Sequence, residues 1–145
     1  MTRSKKIPQK TSIGVDITDI SRFAKLNPKK DRLFLSRIYT SAEIQYCFSK
    51  AKPAQHLAAR FAGKEAIVKA LKGLEIAAYY KQIEISNDES GVPKAELKDK
   101  KILNKFDILL SLSHCEDKAI AFAIAHKKKN LLECLLETEK DSPNA

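Results

Sequence analysis

No apolar run in this 145-residue chain approaches the roughly 18 residues of a membrane span. The N-terminus also lacks the apolar core of a secretory signal. A membrane protein is thereby set aside, and a cytoplasmic location is expected. Cysteine is scarce. Cys47, Cys115 and Cys134 are odd in number and show no metal-type spacing, so reduced thiols are predicted rather than a disulfide framework. The absence of an internal repeat argues against a solenoid. There is no glycine-rich phosphate loop, and no Ser/His/Asp or Cys/His constellation is readable, so these common signatures point to no enzyme class.

What remains is an ordinary soluble composition, 43% hydrophobic and 31% charged, long enough for one domain with a real core. The net charge is +9. Residues 1–11 carry Arg3, Lys5, Lys6 and Lys10 without an acid, the pattern of a basic disordered arm. Residues 127–145 balance four lysines against four acids as a charged tail. Setting aside the arm's +4 and the neutral tail leaves +5 for the body. A basic surface of that kind attracts nucleic acid, membranes, acidic proteins or phosphorylated small molecules, and charge alone does not choose among them.

The chain is organised around residues 54–72, a proline-free, alanine-rich run that predicts a helix. At about 100° per residue, Ala58, Ala62, Glu65 and Lys69 share a stripe. Leu57, Phe61 and Val68 form a second, with Lys64 at its edge. Ala59, Gly63, Ala66 and Ala70 make a side with little bulk, suited to close packing. Taken alone, Glu65 and Lys69 are an i,i+4 surface pair worth about 0.2–0.5 kcal/mol. Upstream, Ile13, Val15 and Ile17 alternate with Gly14, Asp16 and Thr18 as in a half-buried strand, Asp16 on the face opposite the apolar residues. Asp is depleted in strands, so Asp16 asks for a reason.

Asp19 is the expected N-cap of a short helix to Leu26, and Asp31 that of another, Arg32 to Ile38. Thr40-Ser41-Ala42-Glu43 is a capping-box pattern, and Pro53 suits the first turn of the central helix. Ile83 to Ile85 and Val92 to Leu97 flank a turn-rich stretch, and Ile108 to Ser113 and Ala119 to Ala125 flank His114 to Asp117, predicting two hairpins. Residues 98–107 read as charged and weakly helical. Ile120, Phe122 and Ile124 oppose four alanines on the last strand, so both of its faces are expected to be covered. The order argues for an α+β fold, an antiparallel sheet with a long central helix. Asp16 and Glu65 are a plausible pair for Mg²⁺, which takes one or two carboxylates plus water and phosphate oxygens. Lys69 sits one turn beyond to meet a phosphate, and His114 is a candidate phosphate donor or base.

Gly14-Val-Asp-Ile, Arg60-Phe-Ala-Gly-Lys-Glu-Ala-Ile-Val-Lys-Ala and Ser111-Leu-Ser-His, in that order, resemble the holo-acyl-carrier-protein synthase family. Arg37-Ile-Tyr-Thr-Ser-Ala-Glu and Ile83-Glu-Ile-Ser-Asn-Asp followed by Gly91-Val-Pro extend the likeness over about residues 12–125. The resemblance implies a 4′-phosphopantetheinyl transferase fold over residues 12–126. It also implies transfer of phosphopantetheine from coenzyme A to apo acyl carrier protein in fatty-acid biosynthesis. Asp16 and Glu65 match its metal ligands, for Mg²⁺ or Mn²⁺, and both stand with Lys69 as catalytic residues. Glu65 is a ligand, a general base through water, or both. Lys69, Lys64 and His114 match cofactor-binding positions, and Arg22 the arginine that meets the acidic carrier protein. A homotrimer with shared sites is implied, His114 acting on a neighbour's Asp16 and Glu65. The chain departs from the pattern at Leu71 to Tyr80, where glycines are usual, and at Gly63. The alternatives are a basic nucleic-acid-binding module and a non-catalytic relative serving as a binding subunit.

Overall fold

The computed structural model describes residues 9–129. All but residues 9–11 of the expected arm and 127–129 of the expected tail lie outside them, as does Cys134. Strand β1 (Thr11–Asp19) leads through a 3-10 turn (Ile20–Phe23) to α1 (Arg32–Ile38), α2 (Ser41–Phe48) and the 21-residue α3 (Pro53–Gly73). A second 3-10 turn (Tyr80–Gln82) opens the hairpin β2 (Ile83–Asn87) and β3 (Pro93–Leu97). The short α4 (Lys100–Leu103) precedes the hairpin β4 (Phe106–His114) and β5 (Lys118–Lys127). The three-stranded antiparallel sheet has the order β1-β5-β4, and β2-β3 form a separate antiparallel pair. An α+β architecture around one long helix is what the sequence predicts.

Local chemistry explains most boundaries. Pro53 occupies the first turn of α3, where its missing N–H goes unused. The capping box at α2 forms, with Thr40 Oγ1 accepting from Glu43 N and Glu43 Oε2 accepting from Thr40 N at 2.8 Å. α3 ends in a Schellman arrangement: Ile76 N donates to Leu71 O and Glu75 N to Lys72 O, with Glu75 at φ 63°. That left-handed position favours glycine, which the sequence does not supply there. Two expectations are corrected at the first turn. The helix stops at Phe23 rather than Leu26, and Asp19 makes no side-chain cap because its carboxylate pairs with Lys118 of β5.

β1 lies on α3 at its small-residue side. A Cβ on Gly14 would come within 1.9 Å of Ala66 O and 2.8 Å of Ala70 N, so only glycine lets the backbones approach this far. Beneath the sheet, Ala62, Ala66, Ala70, Ala121, Ala123 and Ala125 are buried with Ile67, Ile83, Ile85 and Phe106. A second core gathers Phe23, Leu35, Tyr39, Leu57 and Ala58 where α1 and α2 meet the start of α3.

This arrangement corrects the expected burial of β1. Ser12, Gly14, Asp16 and Thr18 face α3, while Ile13, Val15 and Ile17 stand 53–64% exposed. The outer face of the sheet continues through Ile120, Phe122 and Leu109, also exposed. Among the described residues, β5 is fully buried only on its alanine face.

Gly14→Ala is expected to destabilise the domain by about 1–3 kcal/mol, the usual range for overpacking, measured by urea denaturation. The strand must move off α3 to admit the methyl. A midpoint equal to that of the unaltered protein would show that the close approach is not required.

Candidate active site

Asp16 sits mid-strand on the α3 side of β1, its side chain 15% exposed. Lys69, one turn beyond Glu65 on α3, reaches across the gap. Its Nζ donates to Asp16 Oδ1 and to Val15 O, both at 2.9 Å. The lysine thus directs its ammonium to β1 rather than holding an i,i+4 pair with Glu65. Half of its side chain stays open to solvent, so the ammonium is accessible to an anionic ligand.

Glu65 is held from a third element. The Tyr80 hydroxyl donates to Glu65 Oε1. That bond first, then burial, then the charges of Glu65 and Asp16 push the phenol up to about 12, so it stays protonated and a donor at neutral pH. Asp16 acts on the same phenol through its charge, and Lys69 ties Asp16 to α3 one turn from Glu65. β1, α3 and the second 3-10 turn therefore converge on a cluster of Asp16, Glu65, Lys69 and Tyr80.

The donor set fits a hard divalent cation. Among the described residues no three or more His, Cys, Asp or Glu side chains converge. A metal held by Asp16 and Glu65 would therefore draw the rest of its shell from water and ligand oxygens, as Mg²⁺ commonly does.

Lys64 is placed elsewhere, which corrects its expected position on the cleft. The next residue in a helix points about 100° away, and Lys64 turns into the core with its side chain 0% exposed. Its Nζ pairs with Glu43 Oε2 at 2.8 Å, donates to Tyr80 O at 2.8 Å and is bonded to Ile83 O. Burial holds its pKa below the usual lysine value, only partly opposed by Glu43 and Glu84. Glu43 Oε1 in turn accepts from Ile85 N at 2.8 Å.

His114 ends β4, exposed, with β5 between it and β1. Two strand spacings, about 9–10 Å, separate those edges, so one chain does not bring His114 onto Asp16. On the N-terminal half of α3, burial first, then the charges of Arg60, Lys50 and His114, hold the His56 pKa down. Arg22 is exposed on the first 3-10 turn. Its Nη1 donates to Thr18 Oγ1 at 2.9 Å, and its guanidinium stands 5.2 Å from the Phe61 ring centroid.

Two groups escaped the sequence analysis. Tyr80 sits in a 3-10 turn with no periodicity to mark it. Arg60 is 3% exposed, stacks 4.0 Å from the Tyr46 ring centroid and donates to Asn87 Oδ1 at 2.9 Å. Its Nε–H has no hydrogen-bond partner among the described residues. It lines a cavity of about 220 Å³ with Tyr46, Glu84, Ser86 and Asn87. A buried arginine at the head of the Arg60–Ala70 motif was the available signal.

A family model described as the 4′-phosphopantetheinyl transferase superfamily matches residues 12–124. The chain belongs to that superfamily, and its relatives within it are holo-[acyl-carrier-protein] synthases. It is 42% identical over 115 residues to the synthase of Thermodesulfovibrio yellowstonii, covering 77% of this chain and 95% of the relative. The Chloroherpeton thalassium synthase is 40% identical over 119 residues, covering 81% and 98%. Among solved structures, the Helicobacter pylori synthase in complex with coenzyme A is 30% identical with a TM-score of 0.64, covering 80% of this chain and 99% of that one.

Lys64→Met is expected to lower stability by about 3–5 kcal/mol, because it leaves the buried Glu43 carboxylate without its cation. Thermal unfolding checks this, and a loss under about 1 kcal/mol would show that the pair contributes little.

Proposed function

We propose that the chain transfers the 4′-phosphopantetheine group of coenzyme A to a serine of apo acyl carrier protein. The products are holo acyl carrier protein and 3′,5′-ADP. The observation that carries this is the convergence of Asp16, Glu65 and Lys69, from a strand and a helix far apart in sequence. The relatives, named as synthases and in one case seen with coenzyme A, support the same substrate. They do not favour a nucleic-acid-binding module or a non-catalytic subunit.

In this reading the serine Oγ attacks the β-phosphorus of coenzyme A. The bond from that phosphorus to the bridging oxygen breaks, and 3′,5′-ADP leaves with the electron pair. Lys69 gives up Asp16 to meet the diphosphate and stabilises charge that grows on it. Asp16 and Glu65 would hold Mg²⁺, with Mn²⁺ as a substitute, and the bound ion supplies charge neutralisation at the phosphates. Glu65 has the neutral Tyr80 hydroxyl as its neighbour instead of Lys69, and we assign it to accept the serine proton. Arg60, whose Nε–H has no partner among the described residues, suits another anionic oxygen of the same substrate.

Arg22, exposed beside this cluster, is assigned to the acidic carrier protein, which the basic body would steer electrostatically. The reading places the enzyme in the cytoplasm, in keeping with the free thiols of Cys47 and Cys115. Among the described residues no helix is long and apolar enough to cross a membrane.

The same reading includes a homotrimer. An antiparallel sheet ordinarily leaves a polar face to water, whereas here Ile13, Val15, Ile17, Leu109, Ile120 and Phe122 are exposed side by side. Apolar patches of this kind mark contact surfaces, and a second copy of the chain is the cover we assign. His114, far from Asp16 in its own chain, would then serve a neighbour's site and remain among the cofactor-binding residues. Lys64, fully buried and committed to Glu43 and two carbonyls, reaches the site only through the Tyr80 backbone it holds.

Incubation with coenzyme A, Mg²⁺ and an apo acyl carrier protein should add one phosphopantetheine, read by mass. Asp16→Ala and Glu65→Ala should each abolish the addition. An unmodified carrier protein with the intact enzyme overturns the reading. Mixing subunits tests the sharing: Asp16→Ala and His114→Ala chains, each inactive alone, should regain transfer once exchanged. No recovery after demonstrated exchange would put both residues in one subunit's site.

A further inference from the structure

Tyr80 is anchored independently of the carboxylate it touches. Tyr79 N donates to Gln82 Oε1 at 2.8 Å and Gln82 N to Tyr79 O at 2.9 Å, closing the turn that carries it. The Tyr80 carbonyl accepts from the buried Lys64 ammonium. Its ring lies against Phe61, centroids 5.9 Å apart and planes tilted by 54°. Backbone and ring are therefore fixed by neighbours on α3 and in the turn, and the hydroxyl arrives at Glu65 Oε1 as a consequence.

The packing does not need that hydroxyl, since phenylalanine would fill the same space against Phe61. What the oxygen adds is direction. The terminal torsion of a glutamate is broad and roughly two-fold, so an untethered Glu65 would sample many orientations of its carboxylate plane. A donor held on Oε1 selects one of them and leaves Oε2 for another partner. Groups that hydrogen-bond to metal-binding side chains fix ligand orientation in this way, and their removal typically lowers metal affinity about 10–100-fold.

We propose that Tyr80 is a positioning residue of the active site, orienting Glu65 for the divalent cation through its hydroxyl. This rests on the transferase reading above. Lys64 belongs to the same device at one remove, because it grips the carbonyl of the residue whose other end grips Glu65.

The test is Tyr80→Phe, which keeps the ring and removes the oxygen. Mn²⁺ binding is followed by the electron-paramagnetic-resonance signal of the free ion, without carrier protein, so the readout does not depend on turnover. The dissociation constant should rise about 10-fold. In the transfer assay the half-saturating Mg²⁺ concentration should rise in parallel, while the KM for coenzyme A at saturating metal stays unchanged. Circular dichroism melts of both proteins set a common temperature at which each is folded, so lost stability does not pass for lost affinity.

Mn²⁺ affinity within twofold of the unaltered protein overturns the proposal. So does tighter binding, which would mean that the hydroxyl competes with the ion. If the unaltered protein binds no Mn²⁺ and transfers no phosphopantetheine, the transferase reading itself fails and this inference with it. If it does both and Tyr80→Phe matches it, only the role of Tyr80 is lost.

Discussion

The close approach of β1 to α3 at Gly14 sets the geometry of everything that follows. With no Cβ at that point, the strand backbone settles against Ala66 and Ala70, and Asp16, two residues on and on the same face, is brought over the same helix. Lys69 can then reach Asp16 and Val15 O in one span. A larger residue at position 14 would separate the two carboxylate-bearing elements before any chemistry at the site was changed. The alanines of β5 extend the same logic, because small side chains let a long helix lie close under a whole sheet.

A second constraint runs through the buried Lys64–Glu43 pair. Desolvating two charges is expensive, and such a pair is favourable only with further hydrogen bonds to each partner. Those bonds are present: Lys64 reaches the carbonyls of Tyr80 and Ile83, and Glu43 accepts from Thr40 N and Ile85 N. The pair thus ties α2, α3 and the start of β2 at one point. The functional consequence lies in what hangs from it, since the Tyr80 backbone it holds carries the hydroxyl that meets Glu65.

How much of this was legible follows from what periodicity encodes. The capping box of α2 was readable because caps are local chemistry. By contrast, α1 forms at Arg32–Ile38 without the expected Asp31 side-chain cap, Asp31 Oδ2 accepting from Asn27 N instead. α3 was readable because nothing in residues 54–72 breaks a helix. The orientation of β1 was not, because alternation gives a period of two and does not say which face is buried. The signal was available in composition: Ser12, Gly14 and Thr18 are all small, the mark of the face that meets an alanine-rich helix. Asp16 and Glu65 stood out as charges set among apolar or small residues. Lys64 was assigned to the cleft by the family resemblance, although its place at the edge of the Leu57/Phe61/Val68 stripe already set it on another face of the helix. Tyr80 and Arg60 act through contacts tens of residues away, which spacing cannot reveal.

The inverted strand bears on assembly as well as on packing. If the small-residue face of β1 must meet α3, its Ile/Val face has to point outward, and β5 puts Ile120 and Phe122 beside it for the same reason. The close packing that builds the carboxylate pair therefore also builds an apolar outer wall. Exposed apolar walls of that kind mark contact surfaces. The strand carrying Asp16 on one face carries the proposed subunit contact on the other, so movement at the interface would reach the site through a single backbone. An assembly in which a neighbour supplies His114 uses both faces of that strand at once, and it gives one sequence pattern, small residues alternating with large apolar ones, two separate duties.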